Sequence, residues 1–110
     1  MNETAKTLQA SSLFGHLEHH AERAPGAPAI HSAEGAPCTY GALRDFVLGL
    51  AGLLRARGVG PGDRVAVVTS DGPEAVAAIL GTACCAACVP VNPGYSPVEL
   101  RNGLTWTRAR

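Results

Sequence analysis

The chain has 110 residues, which suits a single domain; 46% of them are apolar and 16% are charged. This composition can supply a hydrophobic core and excludes disorder of the whole chain. Nine basic and nine acidic residues cancel, so neither a nucleic-acid-binding stripe nor an acidic tail for a basic partner is indicated.

The first ten residues are polar and are expected to form a flexible N-terminus. They lack the basic segment and apolar run of a signal peptide. The apolar run at residues 75–91 consists mostly of Ala, Cys, Gly and Val, and it falls short of the roughly 20 strongly apolar residues of a membrane-spanning helix. We therefore predict a cytoplasmic protein with no membrane span, whose four cysteines are thiols.

A first helix is predicted from Ser11 or Ser12, because a serine cap precedes apolar residues spaced on one helix side. Those apolar residues are Leu13, Phe14, Leu17 and Ala21. The segment 24–28 contains two prolines and a glycine and should end the helix. Two short strands are predicted near residues 29–31 and 37–39, with a turn at Glu34 and Gly35 between them.

A second helix is predicted over residues 40–57, with Thr39 as its N-cap. Its apolar face comprises Leu43, Phe46, Val47, Leu50, Leu53 and Leu54. Gly58 and the Gly60-Pro61 pair that follows should stop it. The regular spacing makes this the best-defined element of the sequence.

Strand, helix and strand follow in that order over residues 64–91 and predict a βαβ unit with a right-handed crossover. The β-branched run 64–69 predicts a strand buried on both faces, as in a parallel sheet. Residues 96–99 (SPVE) form a capping-box pattern with proline at the first helical position, so a further helix should begin there.

Cysteines cluster in this unit, where Cys85 and Cys88 form a C-x-x-C pair next to Cys84. A zinc site of the usual kind needs a second ligand pair, and only Cys38 is left over. A redox pair normally opens a helix, whereas Cys85 ends one. Packing is therefore the preferred interpretation, with redox and metal-binding roles as alternatives.

Two further segments carry residue types that are typical of sites. His16, His19 and His20 have a chelating spacing, but no HExxH pattern and no placed carboxylate accompany them, so a solvated helix face is favoured. The glycine-rich segment 58–62 lies before a strand rather than between a strand and a helix. We interpret it as a turn and not as a phosphate loop.

Four stretches, in order along residues 12–103, resemble motifs of the adenylate-forming enzymes, the superfamily of acyl-CoA synthetases and peptide-synthetase adenylation domains. The stretches are CTYGAL at 38–43, GVGPGDRV at 58–65, DGPE at 71–74 and VPVNPGYSPVEL at 89–100. They are similar to the family patterns (L/F)TYxEL, G(V/I)xxGDxV, NxPE and VP(L/V)NPx(Y/L)(T/S)xxEL.

The chain departs from these patterns at three places. Cys84 and Cys85 stand where the family usually has Ala-Gly, which again favours a packing role. Asp71 replaces an asparagine with little expected consequence, because both residues suit turns. The resemblance fades after Asn102. The predicted organisation is a flexible N-terminus at 1–10, the N-terminal part of an AMP-binding synthetase or ligase domain at 11–104, and a divergent tail at 105–110.

The resemblance implies an α/β fold present in part: an N-terminal subdomain with a βαβ unit, flanking helices and an incomplete sheet. Family members use ATP and Mg²⁺ to convert a carboxylic acid to an acyl-adenylate, and they then transfer the acyl group to coenzyme A or to a carrier's phosphopantetheine thiol.

The sequence lacks the family's phosphate loop, its acidic aromatic motif, its ribose-binding aspartate and its late catalytic lysine. No catalytic, cofactor-binding or metal-binding residue is assigned, and no cofactor is predicted for this chain. We expect a truncated, inactive ligase fragment.

A different class of protein is the alternative: a small non-catalytic α/β module that binds or regulates a partner. An incomplete sheet also leaves a strand edge open, so self-association through that edge is predicted.

Overall fold

The computed structural model describes residues 12–109 and shows an α/β fold with an incomplete sheet, as the sequence predicts. In chain order the elements are α1 (Ser12–Arg23), β1 (Pro28–Ile30), β2 (Cys38–Thr39), α2 (Tyr40–Ala56), β3 (Arg64–Val68), α3 (Pro73–Cys85), β4 (Ala87–Val91) and α4 (Pro97–Thr107). The predicted flexible N-terminus and the proposed cap at Ser11 lie outside the described residues.

Both ends of α2 are formed by local hydrogen bonds that the sequence predicts. The Thr39 hydroxyl accepts a hydrogen bond from the Ala42 amide at 3.1 Å and caps the first turn. At the other end, Gly58 adopts a positive φ of 80° and its amide donates to the Arg55 carbonyl. The left-handed conformation favours glycine, so this residue ends the helix there.

The hydrophobic core lies among α1, the β1–β2 hairpin, α2 and α3. Its buried cluster consists of Phe14, Ile30, Leu43, Val47, Ala51 and Cys84. Gly81 allows α2 and α3 to approach closely, because a Cβ at this position would lie 2.9 Å from Cδ2 of Leu50. The core is therefore made largely by helix packing.

The strands form two separate two-stranded sheets within the described residues. β1 and β2 pair antiparallel, whereas β3 and β4 pair parallel from Arg64 opposite Ala87 to Val68 opposite Val91. Because α3 connects these parallel strands, the predicted βαβ unit is present.

The prediction that β3 is buried on both faces is wrong for the described chain. None of its residues is buried, and Val68 is 51% exposed. β3 has one neighbouring strand, β4, and the buried cluster includes no residue of either strand. The predicted strand is present at Arg64–Val68, but burial of both its faces requires neighbours that residues 12–109 do not supply.

The apolar face predicted for α2 is also only partly buried. Leu43 and Val47 are buried, whereas Phe46 and Leu53 are 45% and 54% exposed. Only part of the apolar face predicted for α2 therefore packs against the core. Across residues 12–109, no helix combines the length and apolar character required to span a membrane.

Candidate functional site

The C-x-x-C residues lie at the junction of α3 and β4. Cys85 is the last residue of α3, and Cys88 is the second residue of β4. The Cys85 thiol donates to the carbonyl oxygens of Gly81 and Thr82, at 3.4 Å and 3.6 Å. All four cysteines are free thiols, and Cys84 is buried in the core. The junction is thus packed and hydrogen-bonded to its own helix.

The electrostatic environment of these thiols opposes ionisation. Burial raises the pKa of Cys84 to about 11, and the adjacent Cys85 adds to that shift. Burial also raises the pKa of Cys85 and of Cys88. Because the thiolate is the reactive form, this arrangement favours the packing interpretation over redox chemistry.

The histidines of α1 lie on its exposed surface, and one of them contacts α2. The His20 ring stacks on Tyr40 with centroids 5.1 Å apart and an interplanar angle of 26°. His19 meets His20 edge-on at 5.6 Å. Among residues 12–109 no set of three or more His, Cys, Asp or Glu side chains is placed to hold a metal ion. His20 therefore takes part in a contact between α1 and α2, and within the described residues the three histidines do not form a chelating site.

The glycine-rich segment before β3 is a turn that its own aspartate closes. The Gly60 amide donates to Oδ2 of Asp63 at 2.7 Å, and the Asp63 amide donates back to the Gly60 carbonyl at 3.0 Å. The Asp63 carbonyl in turn accepts a hydrogen bond from Ala87, the first residue of β4. This segment therefore adds a hydrogen bond at the start of the parallel pair.

Polar residues gather at the carboxyl ends of β3 and β4, around a cleft of about 550 Å³. The lining includes Thr69, Ser70, Asp71, Asn92 and Tyr95. Open parallel sheets usually bind ligands at this edge, so the cleft is the candidate functional site of the described residues. Sequence reasoning missed it; the signal was a polar residue directly after each strand.

The far side of the cleft is organised by local hydrogen bonds. Oδ1 of Asn92 accepts from the Gly94 amide at 2.8 Å. Ser96 and Glu99 form the predicted capping box of α4: the Ser96 hydroxyl accepts from the Glu99 amide, and the Glu99 carboxylate accepts from the Ser96 amide. These polar side chains hold the backbone of the segment that leads from β4 to α4.

Comparison with known proteins agrees with this architecture. Residues 17–110 match the family described as AMP-binding enzyme. The chain belongs to this family, and the resemblance predicted from the four sequence stretches is confirmed. The match includes residues 105–110, for which the sequence predicts a divergent tail.

The similar proteins are far longer than this chain. Phenyloxazoline synthase MbtB of Mycolicibacterium paratuberculosis is 44% identical over 87 residues, which are 79% of this chain and 7% of that protein. The nonribosomal peptide synthetase FmoA3 superimposes with a TM-score of 0.78 at 33% identity, over 88% of this chain and 10% of its own. Acetoacetyl-CoA synthetase from Streptomyces lividans gives a TM-score of 0.77 at 31% identity, over 88% and 16%.

Proposed function

We propose that this chain forms the N-terminal scaffold of an adenylate-forming enzyme and does not itself carry out the chemistry. The parent reaction activates a carboxylic acid with ATP and Mg²⁺, and it then transfers the acyl group to coenzyme A or to a carrier's phosphopantetheine thiol. Family membership and the synthetase names of the similar proteins support this assignment. We also propose a cytoplasmic location, which the free cysteines favour.

One observation carries the proposal: polar side chains within the family-like stretches bond to their own backbone. Thr39 caps α2, Asp63 closes the turn before β3, and Asn92 holds the loop after β4. Ser96 and Glu99 cap α4 in the same way. Such hydrogen bonds stabilise turns and helix ends, so these side chains have a structural role.

An assay of acid activation tests this function directly. The purified chain would be incubated with ATP, labelled pyrophosphate and a broad panel of carboxylic acids. A full-length AMP-binding enzyme with a known acid would serve as the positive control. We expect no acid-dependent exchange of pyrophosphate into ATP. Acid-dependent exchange that copurifies with the chain through two columns would overturn the scaffold assignment.

The alternative, a small non-catalytic binding or regulatory module, is favoured by a different observation. The buried cluster that spans α1 to α3 forms a continuous core without any residue of β3, β4 or α4. Such a core is compatible with independent folding. A monomer with a sharp thermal transition above about 60 °C, beyond most mesophilic domains, would favour this alternative over an incomplete domain.

We further propose that the chain self-associates through the open edge of the β3–β4 sheet. Within the described residues each of these strands pairs only with the other, and Val68 is 51% exposed. An apolar cleft of about 700 Å³ lies beside it, with Phe46 and Ala77 among its lining residues. Unpaired edges next to apolar surface favour association between copies.

Light scattering with paired variants tests self-association. We expect oligomers of the unmodified chain and a shift toward monomer in Val68→Lys. Val98→Lys is the matched control, because Val98 is 64% exposed on α4 and is not among the residues that line the apolar cleft beside Val68. A monomeric unmodified chain, or equal shifts in both variants, would contradict the proposal.

A further inference from the structure

The last described helix, α4, is formed locally but does not join the core. Its N-terminus has a capping box and a proline in the first turn, and these features favour helix formation by this segment itself. None of its residues is buried, and no other described element packs extensively against it. Trp106 is 89% exposed. Helices of fewer than about 12–15 residues are marginal in isolation.

One hydrogen bond ties the C-terminal end of α4 to the sheet. Nη1 of Arg64 donates to the carbonyl oxygen of Thr107 at 3.1 Å, across 43 positions of sequence. Arg64 is the first residue of β3, whereas α4 starts beyond the last residue of β4. The helix therefore runs back along the parallel strands, from their carboxyl ends to their amino ends.

The position of Arg64 suits this role. Carbonyl groups at the end of a helix lack partners within the helix and carry partial negative charge. A guanidinium placed there forms a charge-assisted hydrogen bond and also interacts favourably with the helix dipole. Arg64 is exposed and neither partner belongs to the buried cluster, so water competes for the guanidinium and the bond can open without disturbing the core.

We propose that α4 is a detachable arm whose position beside the β3–β4 sheet is held by the hydrogen bond from Arg64. In the open state the helix moves about the segment that contains Tyr95 and Ser96, while the core of α1, α2 and α3 stays folded. Because Tyr95 lines the cleft at the carboxyl ends of the strands, opening of the arm changes one wall of that cleft.

Amide hydrogen exchange of the full chain tests the arm. We expect the amides of α4 to exchange much faster than those of α2, because α4 contains no buried residue whereas α2 contributes three to the core. Arg64→Ala should speed exchange in α4 by roughly two- to five-fold, the range expected for a charge at a helix end, and should leave α2 unchanged. Arg44→Ala is the matched control, because Arg44 pairs with the neighbouring Asp45 on α2.

Fluorescence provides a second measurement, because the only tryptophan of the chain, Trp106, lies on α4. Its anisotropy should fall in Arg64→Ala and stay unchanged in Arg44→Ala. Protection of the α2 amides shows whether the variant is folded. Equal exchange of α4 in Arg64→Ala and the unmodified chain, or protection of α4 as strong as that of α2, would overturn the proposal.

Discussion

The two halves of this molecule use apolar residues differently. The helical region, residues 12–56 together with α3, contains every member of the buried cluster. The sheet region, β3, β4 and α4, is also rich in valine and leucine, yet none of its residues is buried. Hydrophobic sequence alone therefore does not make a core. A segment is buried only where the chain supplies a partner for each of its apolar faces.

The difference follows from the number of neighbouring elements that a helix and a parallel strand each need in order to be buried. An amphipathic helix such as α2 can bury its stripe against the helices that precede and follow it. A parallel strand needs a neighbour on each edge and a helix layer on each face. β3 has one neighbouring strand. Equivalent changes in the two regions, or at matched buried and exposed sites, should therefore differ in their effects.

Removal of the largest buried side chain should have the largest effect. Phe14 is fully buried, so Phe14→Ala should lower the free energy of unfolding by about 3–5 kcal/mol through lost burial and a cavity. Phe46→Ala, at a side chain that is 45% exposed, should cost roughly 1 kcal/mol. Urea denaturation followed by circular dichroism measures both values. Equal losses would show that burial does not distinguish these positions.

Filling the close contact between α2 and α3 should have the next largest effect. A Cβ at Gly81 would lie 2.9 Å from Leu50, and Val47 is also near. We expect Gly81→Val to destabilise the chain by about 1–3 kcal/mol through overpacking. A Cβ at Gly49, also in a helix, would meet no atom within 4 Å. Gly49→Val should be neutral or slightly stabilising, and destabilisation as large as at Gly81 would rule out a steric cause.

Loss of an N-cap should have different consequences in the two regions. Thr39→Ala should lower the free energy of unfolding by about 1 kcal/mol, because α2 belongs to the core. Ser96→Ala removes the equivalent cap of α4, which lies outside the core. It should leave the urea midpoint unchanged and speed hydrogen exchange within α4. If Ser96→Ala moves the midpoint as far as Thr39→Ala does, α4 unfolds together with the core.

The smallest effect concerns pH and the Cys84 thiol, which is 6% exposed and has its pKa raised to about 11. Because its folded-state pKa lies above the unfolded value, the thiol contributes stability below pH 9. This contribution is lost as the pH rises toward 11. At pH 9.5 we expect a loss of less than about 1 kcal/mol. Urea midpoints at pH 8 and pH 9.5 test this. Cys84→Ala should reduce the difference between the two midpoints. A difference of the same size in this variant would show that other groups cause it.

Much of the local structure can be predicted from the sequence. The limits of α2, the Thr39 cap, the turn at Asp63 and the capping box of α4 all depend on residues within about four positions of one another. The four family-like stretches also lie at such turns and helix ends, so the sequence was enough to predict the family. Interactions of this range depend little on the rest of the fold.

Only the tertiary structure shows which apolar residues are buried and which polar residues meet. The sequence places Phe46 and Val47 on the same helix face, yet Val47 is buried and Phe46 is half exposed. It also gives no sign that Arg64 reaches Thr107, or that polar residues after two different strands line one cleft. These features join segments far apart in the chain. Their geometry is fixed by the packing of whole elements, which local sequence patterns do not encode.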